Sequence, residues 1–222
     1  MEDTNFPPRR YAALLFDMDG TILSSIASAE RVWAMWARER GLDVDTFLPT
    51  IHGIQAVETI RRLALPGIDP KVEAERITRA EIENVQDVEA IAGAAAFLER
   101  LPPNRWAVVT SAPRALAEAR MAAAGLPLPG VMVTAEDAER SKPAPDGYLH
   151  AAERLQVNAS NCLVFEDAPA GIDAGVAAGA SLVVVSALHR QPLKSPYPSI
   201  ANYHALHASH DGDGVTVRRV TE

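Results

Sequence analysis

Short apolar segments recur along the chain without the alternation of polar and apolar residues that marks a strand with one wet face. They are Ala12–Phe16, Trp106–Thr110, Gly130–Thr134, Cys162–Phe165 and Ser181–Val185. Strands that are apolar on both faces are typical of a parallel sheet that helices cover on two sides. The pattern therefore predicts a parallel sheet.

Helical segments with recognisable ends lie between the later strands. Pro113 begins one that ends at Gly125, and Pro169 begins another that ends at Gly179. Proline is favoured in the first turn of a helix and glycine directly after its last turn. A third segment, Asp146–Gln156, also has helical spacing. Strands that alternate with helices predict an α/β fold with right-handed crossovers.

Residues 24–89 interrupt this alternation, because no segment among them has the pattern of a strand. Helical spacing is found in Glu30–Arg40, Ile54–Ala64 and Pro70–Asn84. We interpret this stretch as a four-helix insert between the first two strands. It is expected to form a cap domain, 24–89, on a catalytic core made of 1–23 and 90–222. Such a cap would lie over the carboxyl ends of the strands, where ligands bind in these sheets.

The segment from Gln191 onward has a weaker pattern, and its role is not indicated. Tyr203–Leu206 is expected to be a short edge strand. The glycines of Asp211–Gly214 predict a turn before a second apolar segment, Val215–Val220.

Composition narrows the class of protein. The chain has 222 residues, of which 48% are hydrophobic, and its net charge of −8 argues against a nucleic-acid partner. Cys162 is the only cysteine, so an intrachain disulfide is excluded and a reducing compartment is indicated. No apolar run approaches the length of a membrane span, and residues 1–10 lack the apolar core of a signal peptide. We expect a cytoplasmic protein with neither a membrane nor a nucleic acid as partner; the oligomeric state is open.

Acidic, hydroxyl and lysine side chains follow the predicted strands at the points where they end. They are Asp17 and Asp19 after the first strand, Thr110 and Ser111 at the second, Lys142 before the helix at 146, and Glu166 and Asp167 after the fourth. Each alone has an ordinary explanation as a helix cap or a solvated side chain. Because the carboxyl ends of parallel strands meet at one edge of a sheet, we expect these groups to converge in one crevice.

The expected cluster suits phosphoryl transfer. Asp17, Glu166 and Asp167 offer carboxylate oxygens, and Mg²⁺ prefers a few carboxylates together with water and phosphate oxygens. Asp17 is placed to attack phosphorus and form an aspartyl-phosphate intermediate. Asp19 is placed to protonate the leaving alcohol and then to deprotonate the water that hydrolyses the intermediate.

The hydroxyl and lysine positions are expected to hold the phosphoryl group. Thr110 and Ser111 can donate hydrogen bonds to its oxygens, and Lys142 can neutralise their charge. Gly20 would let the chain turn sharply between the two acids and the insert.

Four motifs, in this order, resemble the signature motifs of the haloacid dehalogenase superfamily. They are Asp17-Met-Asp-Gly-Thr21, Thr110-Ser111, Lys142-Pro143 and Glu166-Asp167-Ala-Pro-Ala-Gly171. The resemblance covers Ala12–Ser186 and implies a Rossmann-like core with an all-helical cap inserted after the first motif.

The same resemblance implies roles for the motif residues. It makes Asp17 the nucleophile, Asp19 the acid and base, and Thr110 and Lys142 phosphate-binding residues. The Mg²⁺ ligands that it implies are Asp17, the backbone carbonyl of Asp19, and Glu166 with Asp167, directly or through water. Thr21 and Ser111 are expected to contact the substrate.

Within the superfamily, the residues that make up these motifs resemble those of sugar phosphatases and glycerol-3-phosphatases. Ala112 departs from this group, whose members usually carry glycine there. The segment from Ile51 to Ala56 is similar to a cap segment that faces the leaving group. It makes His52, Gly53 and Gln55 candidate substrate contacts.

The expected function is that of a Mg²⁺-dependent phosphatase acting on a small sugar or polyol phosphate. A hexose phosphomutase is the enzymatic alternative, since it uses the same pair of acids, although such mutases often carry valine at the position of Thr21. A non-catalytic phosphate-binding regulatory module is the alternative from another class. Dehalogenases and phosphonate hydrolases of the superfamily do without the second acid, so Asp19 argues against both.

Overall fold

The computed structural model describes residues 9–51, 54–189, 191 and 193–219. The strands are β1 (Arg9–Tyr11), β2 (Ala13–Phe16), β3 (Leu23–Ser24), β4 (Glu89–Ala90), β5 (Trp106–Val109), β6 (Val131–Val133), β7 (Cys162–Glu166), β8 (Ser181–Val185), β9 (Ser199–Ile200), β10 (Leu206–His210) and β11 (Val215–Arg219). The helices are α1 (Ile26–Glu39), α2 (Val44–Phe47), α3 (Ala56–Leu63), α4 (Pro70–Glu83), α5 (Ala94–Leu98), α6 (Arg114–Ala123), α7 (Asp146–Arg154) and α8 (Pro169–Ala177), with 3₁₀ turns at Leu48–Thr50 and Ala159–Asn161. In the ranges that the structure describes, no helix is both long enough and apolar enough to cross a membrane.

A six-stranded parallel sheet with the order β6-β5-β2-β7-β8-β9 forms the centre of the fold. Its first five members are the predicted strands, which confirms the expected α/β class with a parallel sheet. The sixth, β9, was not predicted, because two residues are too few to show a pattern. Strand β2 lies between β5 and β7, so its carboxyl end is in the middle of one edge of the sheet.

A second sheet, with the antiparallel order β1-β11-β10, contains two strands of the C-terminal segment. The apolar segment that begins at Val215 forms β11, as far as Arg219. The prediction of a strand at Tyr203–Leu206 is wrong, because the strand begins only at Leu206. Tyr203 is instead buried in the core, where its hydroxyl donates to the backbone oxygen of Thr21 at 3.2 Å.

Helices α1 to α4 lie between β3 and β4, and these two short strands pair with each other. The chain therefore enters and leaves this group of helices side by side. The helices share an apolar cluster of their own, which includes Val32, Trp33, Trp36, Phe47, Ile60 and Ile77. Helix α4 also packs against α6, which belongs to the central α/β part of the fold.

Aromatic side chains fill the core on one face of the central sheet. The register pairs Phe16 of β2 with Phe165 of β7, and their rings stack with centroids 4.7 Å apart. Phe97 packs edge-on against Phe16, at 6.3 Å, and contacts Tyr203 at 5.3 Å. This packing fixes the ends of β2 and β7 next to each other, where Asp17 and Glu166 follow.

We expect Phe97→Ala to destabilise the fold strongly. Removing this buried ring leaves a cavity among three other aromatic rings, and such changes cost about 3–5 kcal/mol of unfolding free energy. Urea unfolding of both proteins measures the difference. Leu128→Ala is the control, since this leucine is 61% exposed and the change should stay within about 0.5 kcal/mol. Equal losses in the two variants would contradict the assigned core.

Candidate active site

A cavity of about 160 Å³ lies at the carboxyl ends of β2, β5 and β7. The predicted strand-end residues that line it are Asp17, Asp19, Thr110, Ser111, Lys142, Glu166 and Asp167. They come from four separate segments of the chain. The fold brings them together because parallel strands present their carboxyl ends at one edge.

Lys142 lies between two acids at the floor of this cavity. Its Nζ donates to Asp17 Oδ1, to Glu166 Oε1 at 2.7 Å and to the backbone oxygen of Val109 at 3.2 Å. Burial alone would lower the pKa of Lys142, but the charges of Asp17 and Glu166 raise this pKa above its ordinary value. The lysine therefore stays protonated and supplies a fixed positive charge.

Glu166 is held by hydrogen bonds on both of its carboxylate oxygens. Oε1 accepts from Lys142 and, at 2.9 Å, from the Tyr148 hydroxyl. Oε2 accepts from the backbone N–H groups of Asp167 and Ala168 at 2.9 and 3.1 Å. A Cβ added to Gly171 would come within 1.6 Å of Oε1, so only glycine fits there. Glu166 is thus an anchor for Lys142 as well as a possible metal ligand.

Asp17, Glu166 and Asp167 form a cluster in which one oxygen of each lies within 4.8 Å of the others. Burial, together with the charge of Glu166, raises the pKa of Asp17 to about 7. Burial and the charge of Asp17 also raise the pKa of Asp167. Among the described residues, no group donates a hydrogen bond to Oδ2 of Asp17 or of Asp167. These two oxygens and the crowding of three carboxyl groups fit a divalent cation, whose charge would offset the repulsion among the carboxylates.

Thr21 differs from its expected role as a substrate contact. Its side chain is fully buried, and Oγ1 donates to Asp167 Oδ1 at 3.3 Å. The threonine therefore orients Asp167 from behind. Gly20 makes the expected sharp turn with a φ of +89°, and a Cβ added to it would meet Asp167 Oδ2 at 2.1 Å.

The side chain of Asp19 lies outside the carboxylate cluster. Its Oδ1 accepts from the Ser25 hydroxyl, and its Oδ2 accepts from Arg120 Nη1 at 3.0 Å. Neither Ser25 nor Arg120 was predicted from the sequence as a partner of Asp19. The side chain is 31% exposed and faces the cavity, so it remains within reach of a bound molecule.

The hydroxyl residues after β5 are placed to face an anion. Thr110 Oγ1 accepts from the backbone N–H of Ala112 at 3.1 Å, which leaves the hydroxyl proton free to donate. Ser111 lines this first cavity and also a second cavity of about 490 Å³ beside it. These positions agree with a role in holding phosphoryl oxygens.

The predicted substrate contacts in the helical insert are only partly described. Gln55 lines the second cavity, where its Nε2 donates to the backbone oxygen of Ala135 at 3.5 Å. His52 and Gly53 lie outside the described residues. Their neighbours Ile51 and Ile54 line the first cavity.

Two charged residues of the site, Arg120 and Glu81, could have been found from the sequence, because each lies on an otherwise apolar helix face. Arg120 lies on the buried face of α6 with Leu116 and Met121. Glu81 lies four residues after Ile77 on the buried face of α4. A charge on an apolar helix face needs a buried partner, and here each residue is the partner of the other, at 3.0 Å.

Comparison with known proteins identifies the family of this chain. A family model described as haloacid dehalogenase-like hydrolase matches residues 11–179. Hexitol phosphatase A of Escherichia coli is 41% identical over 182 residues, which are 80% of this chain and 84% of that protein. Validoxylamine A 7'-phosphate phosphatase of Streptomyces hygroscopicus subsp. limoneus is 35% identical over 187 residues, which are 81% and 87% of the two chains.

Solved structures show the same fold. The β-phosphoglucomutase of Clostridium difficile superposes with a TM-score of 0.70 and covers 79% of this chain and 84% of its own, at 24% identity. At that identity the likeness concerns the fold and not the reaction. The sequence matches confirm the resemblance inferred from the four motifs. The chain therefore belongs to the haloacid dehalogenase-like hydrolase family, and it is a phosphatase, a hydrolase of phosphoric monoesters.

Proposed function

We propose that this phosphatase releases inorganic phosphate from a small sugar or polyol phosphate, with Mg²⁺ as its cofactor. The observation that carries the proposal is the arrangement around Asp17, whose carboxylate is paired with Lys142 at the floor of a cavity that Asp19 also faces. A hexitol phosphatase and a validoxylamine phosphate phosphatase among the relatives support the substrate class.

Asp17 is the proposed nucleophile. One oxygen attacks phosphorus, the bond from phosphorus to the alcohol oxygen breaks, and an aspartyl phosphate forms. Lys142 and the Thr110 hydroxyl hold the phosphoryl oxygens and offset their charge. Mg²⁺, held by Asp17, Asp167, the backbone carbonyl of Asp19 and, directly or through water, Glu166, would neutralise further charge on the phosphoryl group when bound.

Asp19 is the proposed proton carrier. It donates a proton to the oxygen of the leaving alcohol and later takes one from the water that hydrolyses the aspartyl phosphate. Its position two residues after Asp17 suits both steps, because its side chain faces the same cavity without joining the carboxylate cluster.

The helical insert is the proposed cap, with boundaries at 24–89, on a core made of 1–23 and 90–222. Pairing of β3 with β4 at these boundaries supports the division. The second cavity lies between α3 and α4 on one side and the segments after β5 and β6 on the other. We assign this space to the leaving group, with Gln55 and Ser111 as polar contacts. His52 and Gly53 remain candidate substrate contacts from the sequence, since they lie outside the described residues. The single cysteine, buried and free, supports a cytoplasmic location.

We expect phosphate release from a panel of glycerol, hexitol and hexose phosphates in the presence of Mg²⁺. Asp17→Asn should lower turnover by about 10³-fold or more, because the amide cannot act as the nucleophile. Asp45→Asn, an exposed change on the insert, is the control and should leave turnover unchanged. The proposal fails if no ester is hydrolysed or if Asp17→Asn keeps its activity. Formation of sugar-phosphate isomers without free phosphate would favour the mutase.

We expect Mg²⁺ to stabilise the protein more at pH 8 than at pH 5. The pKa of Asp17 is raised from 3.8 to about 7, so the metal-free folded protein binds protons that the unfolded chain releases. The stability from this group is present below pH 3.8 and is lost as the pH rises through about 7. Magnesium competes with the same protons, so its effect grows over this range.

Thermal unfolding with EDTA and with Mg²⁺ measures this effect. Asp167→Asn should reduce the magnesium-dependent rise in Tm at pH 8, whereas Asp45→Asn should preserve it. A rise in Tm that is the same at both pH values would contradict binding at this cluster.

A further inference from the structure

Arg120 joins two acids that come from different parts of the fold. Its Nη1 donates to Asp19 Oδ2 and its Nη2 donates to Glu81 Oε1, both at 3.0 Å. Arg120 belongs to α6 beside the central sheet, Asp19 follows β2, and Glu81 belongs to α4 of the insert. The guanidinium therefore forms a bridge between the proposed proton carrier and the helical insert.

The half of this bridge that involves the insert is buried. The side chains of Arg120 and Glu81 are each 7% exposed. Burial raises the pKa of Glu81, while the charge of Arg120 opposes this shift. Loss of Arg120 would leave the buried carboxylate of Glu81 without its cation, which is costly, whereas loss of Glu81 would leave Arg120 with Asp19 as its partner. Packing of α4 against α6 therefore keeps Glu81 within reach of Arg120.

The second contact of Asp19 also depends on the insert. Oδ1 of Asp19 accepts from Ser25, the residue that directly precedes α1. Oδ1 is thus held by a residue at the start of the insert, and Oδ2 by a core arginine that also pairs with Glu81 of the insert. An aspartate that is free to rotate would otherwise point toward the leaving oxygen for only part of the time.

We propose that Arg120 is a positioning residue for Asp19, and that Glu81 makes this positioning depend on the docking of α4 against α6. The inference rests on the proposed phosphatase reaction, because it assigns Asp19 the transfer of the proton. It links the state of the insert to the acid–base group of the core through one side chain.

The test compares two leaving groups. An alkyl phosphate needs a proton from Asp19 as its alcohol leaves, whereas p-nitrophenyl phosphate releases an anion that is stable without one. The value of kcat/KM includes only the steps up to alcohol release, so it isolates this difference from the later hydrolysis. Arg120→Gln should lower kcat/KM for the alkyl phosphate by about 10- to 100-fold and that for p-nitrophenyl phosphate by less than about threefold. Glu81→Gln should act in the same direction with a smaller effect.

Glu73→Gln is the matched control. Glu73 lies on α4, the same helix as Glu81. It accepts a hydrogen bond from Trp36 at 2.7 Å and pairs with Arg40 at 2.8 Å, and both partners belong to the insert. We expect it to change kcat/KM for the two substrates by the same factor. An equal loss for both substrates in Arg120→Gln, or a Glu73→Gln variant that reproduces the pattern of Glu81→Gln, would overturn the proposal. The comparison of Glu81→Gln with Glu73→Gln decides the matter also where Arg120→Gln does not fold.

A measurement without substrate separates this inference from the proposed function. Urea unfolding of Asp19→Asn, Glu81→Gln and the double variant reports how the two acids share Arg120. Either acid alone can hold the guanidinium, so the double variant should lose more stability than the two single variants together. This excess should vanish in an Arg120→Gln background. Additive losses in the protein that retains Arg120 would refute the bridge, whatever the protein hydrolyses.

Discussion

The site depends on one constraint, which is that a buried lysine must stay between two buried carboxylates. The register of β2 and β7 places Asp17 beside Glu166, and burial together with the charge of Glu166 raises the pKa of Asp17. Lys142 offsets this effect by donating to both. The hydrogen bonds of Tyr148 and of the backbone N–H groups after β7 then hold Glu166 still. The carboxylate of Asp17 is therefore oriented before any substrate binds.

Two chains of alternating charge meet at the loop after β2. The inner chain runs from Asp17 through Lys142 to Glu166 and stays within the core. The outer chain runs from Asp19 through Arg120 to Glu81 and crosses into the helical insert. Each has one cation between two acids. The inner chain suits Asp17, the proposed nucleophile, which must be held in a fixed position. The outer chain suits Asp19, whose position then depends on the helical insert.

Much of the fold could be predicted from the sequence, because its strongest physical signals are local. The strands of the central sheet are buried on both faces, so they are continuous apolar runs such as Cys162–Phe165. Asp17, Glu166 and Asp167 directly follow two of those runs. The strand Ser199–Ile200 could not be found in the same way, because its two residues acquire their conformation only by pairing with β8.

Other features depended on contacts between residues far apart in the chain. Tyr203 was predicted to begin an edge strand. In the structure its ring packs into the aromatic core, and its hydroxyl donates to the backbone oxygen of Thr21. Thr21 was expected at the substrate because of its place in the first motif. The turn at Gly20 instead directs it behind Asp167. The local sequence does not show where the side chain of a residue such as Thr21 points.

The outer charged chain, from Asp19 through Arg120 to Glu81, is the clearest case of a contact that the sequence indicates but that was not predicted from it. Alternating charges at Lys71, Glu75, Arg79 and Glu83 indicate a solvated side of α4. Glu81 does not belong to that series, and its spacing from Ile77 places it on the buried side. Arg120 has the same anomaly on α6. Since an unpaired buried charge is costly, two such anomalies of opposite sign predict a contact between two helices. Here that contact connects the insert to Asp19, the residue at which the core and the insert meet.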